Sequence, residues 1–201
     1  MMSVMLSAAG SLRWFRDSLA PGVEFGDLVA MAEAVPPGSE GLFFLPYLTG
    51  ERNPHPDPLA RGAFIGLTLA HDRRHLTRAV LEGVAFGLRD GLDMMTAAGM
   101  TPPSLIHASG GGTASPLWRQ ILADVLGAEI ATVETTEGAA YGAGLLAAVA
   151  SGWWGSVDAA TQSVVRVTPV ASLGPDAAVY AERHAVYRDL YPALRETFPR
   201  L

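Results

Sequence analysis

Apolar residues recur at helical spacing in Ala8 to Leu19, Phe25 to Ala34, Asp72 to about Ala98, Leu117 to Leu126 and Asp176 to Phe198. Leu12, Phe15 and Leu19 share one face of the first stretch, and Leu28, Val29 and Ala32 one face of the second. Leu76, Ala79, Val80, Gly83, Val84, Phe86, Gly87 and Leu88 form a broad stripe on the third. Tyr180, His184, Tyr187, Tyr191 and Leu194 make an aromatic stripe on the last, which reads as core contact. Glu137 to Ala150 predicts a helix rich in small residues, and Val157 to Gln162 a short helical turn. Short apolar runs predict strands: Gly41–Leu45, Arg61–Thr68, Ser104–Ala108 and Glu129–Val133, with Val4-Met5-Leu6 as the end of another. Pro21-Gly22, Pro36-Pro37-Gly38, Gly99 and Pro102-Pro103 break the elements. Strands alternate with helices and no segment repeats, so the class is α/β in a single lobe.

The sharpest local feature lies between the fourth predicted strand and its helix, at Ser109-Gly110-Gly111-Gly112-Thr113-Ala114-Ser115-Pro116. Three glycines let a ligand approach the backbone and make unusual φ angles cheap. Ser115 suits the N-cap and Pro116 the first helical position. N–H groups at such a helix start attract anions or polar ligand edges. A tight turn without a ligand fits the same residues, and the glycines alone leave both readings open.

Other chemistry is sparser. Pro46 to Pro58 holds four prolines, and so neither helix nor central strand; Glu51, Arg52, His55 and Asp57 could hold a ligand there, or a Glu–Arg pair could pin a surface loop. Glu82 lies within an apolar stripe, where a carboxylate pairs with an arginine such as Arg78 or Arg89 more often than it serves as a base. Trp153-Trp154 reads as a packing anchor.

Composition narrows the classes. The 201 residues are 49% hydrophobic and 17% charged, which fits a sizeable core. A net charge of −6 argues against a general nucleic-acid or anionic-membrane surface, so neither is an expected partner. With no cysteine, thiolate metal sites and cysteine nucleophiles are excluded, and a reducing compartment is compatible. No apolar run is long enough to span a bilayer, and the first residues lack the pattern of a secretory signal. All fourteen basic residues are arginine, so any phosphate must be met by backbone N–H groups and arginine.

Three stretches together resemble the FGGY carbohydrate kinases. Gly62-Ala63-Phe64-Ile65-Gly66-Leu67 followed by His75-Leu76-Thr77-Arg78-Ala79-Val80-Leu81-Glu82 is similar to the family's second signature. Gly110-Gly111-Gly112 with Ser115, Trp118, Arg119, Gln120 and Ala123-Asp124 resembles its adenosine motif, although Ala114 stands where the family commonly has arginine. Leu45 to His55, and Met2 to Ala9, look like the xylulokinase branch.

The resemblance implies an actin-like (ribonuclease-H-like) fold, a mixed sheet flanked by helices. Residues 1–201 would form the C-terminal lobe, lacking its first strands and the N-terminal lobe. It implies a cytoplasmic kinase using ATP and Mg²⁺, with D-xylulose or a related sugar such as ribulose or gluconate as acceptor. The adenosine end falls on Gly110, Gly111, Gly112, Ser115 and Arg119. The catalytic aspartate, the Asp-x-Gly-Thr and Gly-Thr-Ser loops and the Mg²⁺ ligands match nothing in this sequence, so no catalytic or metal residue is assigned and the chain alone is expected to be inactive. A non-catalytic nucleotide-binding or interaction module is the alternative. The expected bare edge at Val4–Leu6 would make the chain a homodimer.

Overall fold

The structure, a computed structural model, describes residues 1–134 and 138–201. Its organising element is α3 (Arg73–Ala97). Asp72 caps it: Oδ1 accepts the Arg74 N–H at 2.9 Å, while His75 Nδ1 takes the Asp72 N–H at 3.1 Å, a capping box with histidine in the place of glutamate. From Thr77 to Gly87 every residue is buried, so the helix runs through the interior. Gly83, Gly87 and Gly91 let the chain pack closely on one side. A Cβ at Gly83 would lie 2.1 Å from the Phe44 carbonyl oxygen, one at Gly87 3.0 Å from the Met5 methyl, and one at Gly91 2.4 Å from the Ser3 hydroxyl.

On one side of α3 lie α1 (Ala8–Leu19), α2 (Phe25–Glu33) and β1 (Phe43–Leu45), around a cluster that includes Phe15, Leu28, Leu42, Phe44 and Val80. β1 pairs antiparallel with β2 (Ala63–Ile65), Phe44 opposite Phe64. On another side α4 (Pro116–Leu126) and α7 (Ala177–Leu194) bring Ile121, Val125, Tyr180 and Tyr187 against Leu81 and Phe86. The second sheet is mixed. β3 (Leu105–Ala108) runs parallel to β4 (Glu129–Val133), which is antiparallel to β5 (Val167–Ala171). β3 therefore has one unpaired edge among the described residues.

Between β4 and β5 lie α5 (Gly138–Ala150) and α6 (Val157–Val164), packed on each other. No residue of α5 is buried. The expected start of this helix at Glu137 falls outside the described residues. No helix among the described residues is long and apolar enough to cross a membrane.

Four expectations are corrected. Val4–Leu6 is not a strand: the Val4 N–H goes to Asn53 Oδ1 at 3.2 Å and the Leu6 N–H to Glu51 Oε1 at 3.0 Å, so side chains of the proline-rich loop take its hydrogen bonds. That also corrects the Glu51–Arg52 pairing. Glu51 is buried as a clamp on the N-terminal backbone and makes no side-chain ion pair with Arg52. Leu19 is 45% exposed, and the core contact at that end of α1 is made by Ala20, which is fully buried. Trp153 is 77% exposed: it lies in the turn that follows α5, a helix with no buried residue of its own, and so anchors no core packing. β5 is an additional strand.

Glu82 is 2% exposed and carries the expected pairing with Arg78, Nε to Oε1 at 2.8 Å. It also accepts the Gly38 N–H at 3.0 Å, the Ser39 hydroxyl at 2.9 Å and the Tyr180 hydroxyl at 3.0 Å. Arg78 in turn donates to the Val35 carbonyl at 3.2 Å and to Tyr180 at 2.6 Å. Burial, then the nearby Glu82 carboxylate, push the Tyr180 phenol well up. The bonds to Gly38 and Ser39 hold a turn with positive φ at four successive residues: Gly38 (84°), Ser39 (49°), Glu40 (51°) and Gly41 (99°).

Candidate functional site

The glycine turn stands at the carboxyl end of β3, inside a β3–α4–β4 unit whose two strands are parallel. In open α/β sheets ligands gather at that end of the strands. Gly110 has φ +98°, a backbone region that L side chains rarely adopt. Gly111–Ala114 then form one turn of 3-10 helix. A Cβ at Gly110 or Gly111 would meet nothing within 4 Å, so their outer side is open. Gly112 is different: its Cβ would lie 3.3 Å from the Trp118 indole, which supports the turn from below. Gly110, Gly111 and Gly112 are all exposed, and among the described residues their N–H groups meet no protein acceptor.

Ser115 and Arg119 lie in the same turn region. The Ser115 hydroxyl oxygen accepts the Trp118 N–H at 3.1 Å, and Pro116 occupies the first position of α4. The hydroxyl hydrogen remains to be donated outward. Arg119 reaches back to the Thr113 carbonyl at 3.2 Å, and its Nε is buried without a partner. Thr113, which sequence reasoning passed over, closes the turn on itself: its hydroxyl donates to the Gly110 carbonyl at 2.7 Å. The five residues singled out in the sequence are thus brought together, with Arg119 bracing the backbone that the glycines expose.

A second unforeseen contact fixes α4 to the segment after β5. Buried Asp124 accepts the Gly174 N–H and the Gln120 amide at 3.1 Å, and that amide also reaches the Ser172 carbonyl at 3.0 Å. The spacing of Gln120 and Asp124, four apart on one helix face, was the only signal for it. His55 and Asp57 of the proline-rich loop are not part of the glycine turn. Among the described residues no three His, Asp or Glu side chains gather as a metal site.

The β3–α4–β4 unit and its mixed sheet make an α/β lobe, and the solved structures it superposes on are sugar kinases of the actin-like fold. A ligand-bound xylulose kinase from Lactobacillus acidophilus superposes with a TM-score of 0.89 at 30% identity, over 98% of this chain and 40% of that one. Gluconate kinase from the same organism superposes with 0.88 at 31% identity, over the same shares. In sequence, the xylulose kinase of Escherichia coli K12 is 40% identical over 202 residues, 100% of this chain and 39% of its own length. Residues 1–151 match the C-terminal domain of the FGGY family of carbohydrate kinases, and the chain belongs to that family. It spans about two-fifths of the length of these relatives.

Proposed function

We propose that residues 1–201 are the nucleotide-binding C-terminal lobe of a cytoplasmic xylulose kinase. In the parent reaction a hydroxyl oxygen of D-xylulose attacks the γ-phosphorus of ATP. The bond to the bridging oxygen breaks, and ADP and D-xylulose 5-phosphate leave. In this reading Gly110, Gly111 and Gly112 admit the adenosine and its phosphates, and Ser115 and Arg119 line the adenine edge. The observation that carries it is the open glycine turn with its unpaired N–H groups at the carboxyl end of β3. Phosphoryl transfer also needs a positioned base and charge neutralisation by Mg²⁺, which supplies electrostatic stabilisation of the phosphates when bound. Both are assigned to the other lobe, so residues 1–201 alone do not turn over. D-xylulose is favoured by the likeness of Leu45–His55 to xylulokinases. Gluconate is the second reading, because a gluconate kinase superposes about as well.

Half a cleft binds weakly, with a Kd on the order of 0.1–10 mM. Titration of the labelled chain with ADP, followed by nuclear magnetic resonance, should move the amides of Gly110–Gly112 and Ser115 first. Shifts confined to other regions at saturation would remove the nucleotide assignment. A coupled assay of the pure chain with ATP and D-xylulose should give no turnover, and measurable turnover would overturn the division of labour between lobes.

A further inference from the structure

The proline-rich loop is left unused by the glycine turn, yet it builds a second cavity. With the end of α7 and the turn that follows, it encloses a cleft of about 450 Å³, lined by His55, Asp57, Tyr191, Arg195, Glu196 and Pro199 among others. That volume suits a small organic ligand. One wall is fixed in advance. The His55 imidazole lies flat on the Tyr191 ring, centroids 3.7 Å apart and planes 6° apart. The Tyr191 hydroxyl donates to Asp57 Oδ2 at 2.9 Å, and Asp57 Oδ1 takes the Leu59 N–H at 2.8 Å. Tyr47 meets both stacked rings edge-on.

The remaining polar groups have unused capacity. Burial lowers the His55 pKa, so the ring is neutral at pH 7, one nitrogen a donor and the other an acceptor. Among the described residues the ion pairs lie elsewhere, and Arg195 and Glu196 have none. The cleft therefore interleaves donors, Arg195 and one imidazole nitrogen, with acceptors, Glu196 and the other nitrogen. Asp57 and Glu196 outnumber Arg195 in charge, which disfavours phosphates. Among the described residues no metal-type cluster forms there. By contrast, in the cavity of about 370 Å³ beside Arg78 and Asp124, the Arg78, Tyr180, Gln120 and Asp124 side chains are already bonded to one another or to the backbone.

We propose that this cleft is a binding site for a neutral polyhydroxylated ring, a saccharide, separate from the nucleotide site. Each hydroxyl both donates and accepts, which matches the alternation of groups. Pro56 and Pro199 add apolar lining. The site shares no residue with the glycine turn, so it stands or falls independently of the kinase reading.

The test is a titration of the labelled 201-residue chain with methyl β-D-glucopyranoside, with inorganic phosphate in parallel at constant ionic strength. The expected result is saturable movement of the His55–Leu59 and Tyr191–Glu196 amides, with a Kd on the order of 1–50 mM. Arg195→Ala and Glu196→Ala, both at exposed positions, should each weaken binding by about fivefold or more while the rest of the spectrum is unchanged. Linear drift without saturation overturns the proposal. So does tighter binding of phosphate than of the glucoside, or unaltered glucoside binding in both variants.

Discussion

Glu82→Ala should be among the most damaging single substitutions in the chain. The carboxylate accepts four hydrogen bonds: from Arg78, Gly38, Ser39 and Tyr180. Removing it leaves the Arg78 guanidinium buried without its counter-charge, and breaking such a pair costs about 3–5 kcal/mol. It also frees the 38–41 turn, whose Ser39 and Glu40 sit at φ 49° and 51°, each unfavourable by roughly 1–2 kcal/mol. For a domain of this size the loss corresponds to a fall in Tm of roughly 6–20 °C. Urea unfolding read by both fluorescence and circular dichroism measures it, coincident transitions supporting a two-state treatment. The companion variant Arg78→Met/Glu82→Leu removes both charges together and should be milder than Glu82→Ala, because no unpaired charge remains. A loss under about 1 kcal/mol in Glu82→Ala, or a double variant worse than the single one, would refute the view that an uncompensated charge dominates.

Gly83→Ala should destabilise by about 3 kcal/mol or more, since its Cβ would overlap the Phe44 carbonyl. Gly10→Ala, with nothing within 4 Å on an exposed helix face, should be stabilising by about 0.5–1 kcal/mol; urea midpoints compare the two. Desolvation acts to raise the Asp57 pKa, but the Leu59 N–H and the Tyr191 hydroxyl outweigh it and hold the carboxyl below its ordinary 3.8. The resulting stability is present above pH 3.8 and is lost as pH falls through the folded-state value. Tyr191→Phe should therefore be less stable than the parent at pH 6, with the gap narrowing below pH 3.8; a gap that widens on acidification would reverse the sign of the argument. The free edge of β3 and the uncovered α5 should make the chain self-associate as it is concentrated. Sedimentation across a dilution series reads this, and a monomer at several hundred micromolar would contradict it.

What was legible in the sequence lies within a few residues of itself. The bounds of α1 and β4, the start of α3 at Asp72, the Ser115 cap and the glycine turn follow from neighbouring residues, and all appear within a residue of where those residues put them. What was hidden depends on distant partners. Val4–Leu6 reads as a strand, but Asn53 and Glu51, 49 and 45 residues away, take its N–H groups. β5 was hidden by Pro169, which argues against a strand. It is tolerated because β5 lies at the sheet edge, opposite Ala131 and beside a register shift. The His55–Tyr191 stack joins residues with no common local pattern. α3 and α5 show the limit most clearly. α5 is the more uniformly apolar, yet none of its residues is buried, whereas α3 carries Arg78, Glu82 and Asp90 into the interior. The charges are tolerated because each finds a partner: Arg78 with Glu82, and Asp90 with His184 at 2.8 Å. Hydropathy ranks side chains by their cost in isolation, and burial is decided by whether another element arrives to cover or to pair them. For α3, β1, α4 and α7 arrive; for α5, α6 packs against it and leaves all of its residues at least partly exposed.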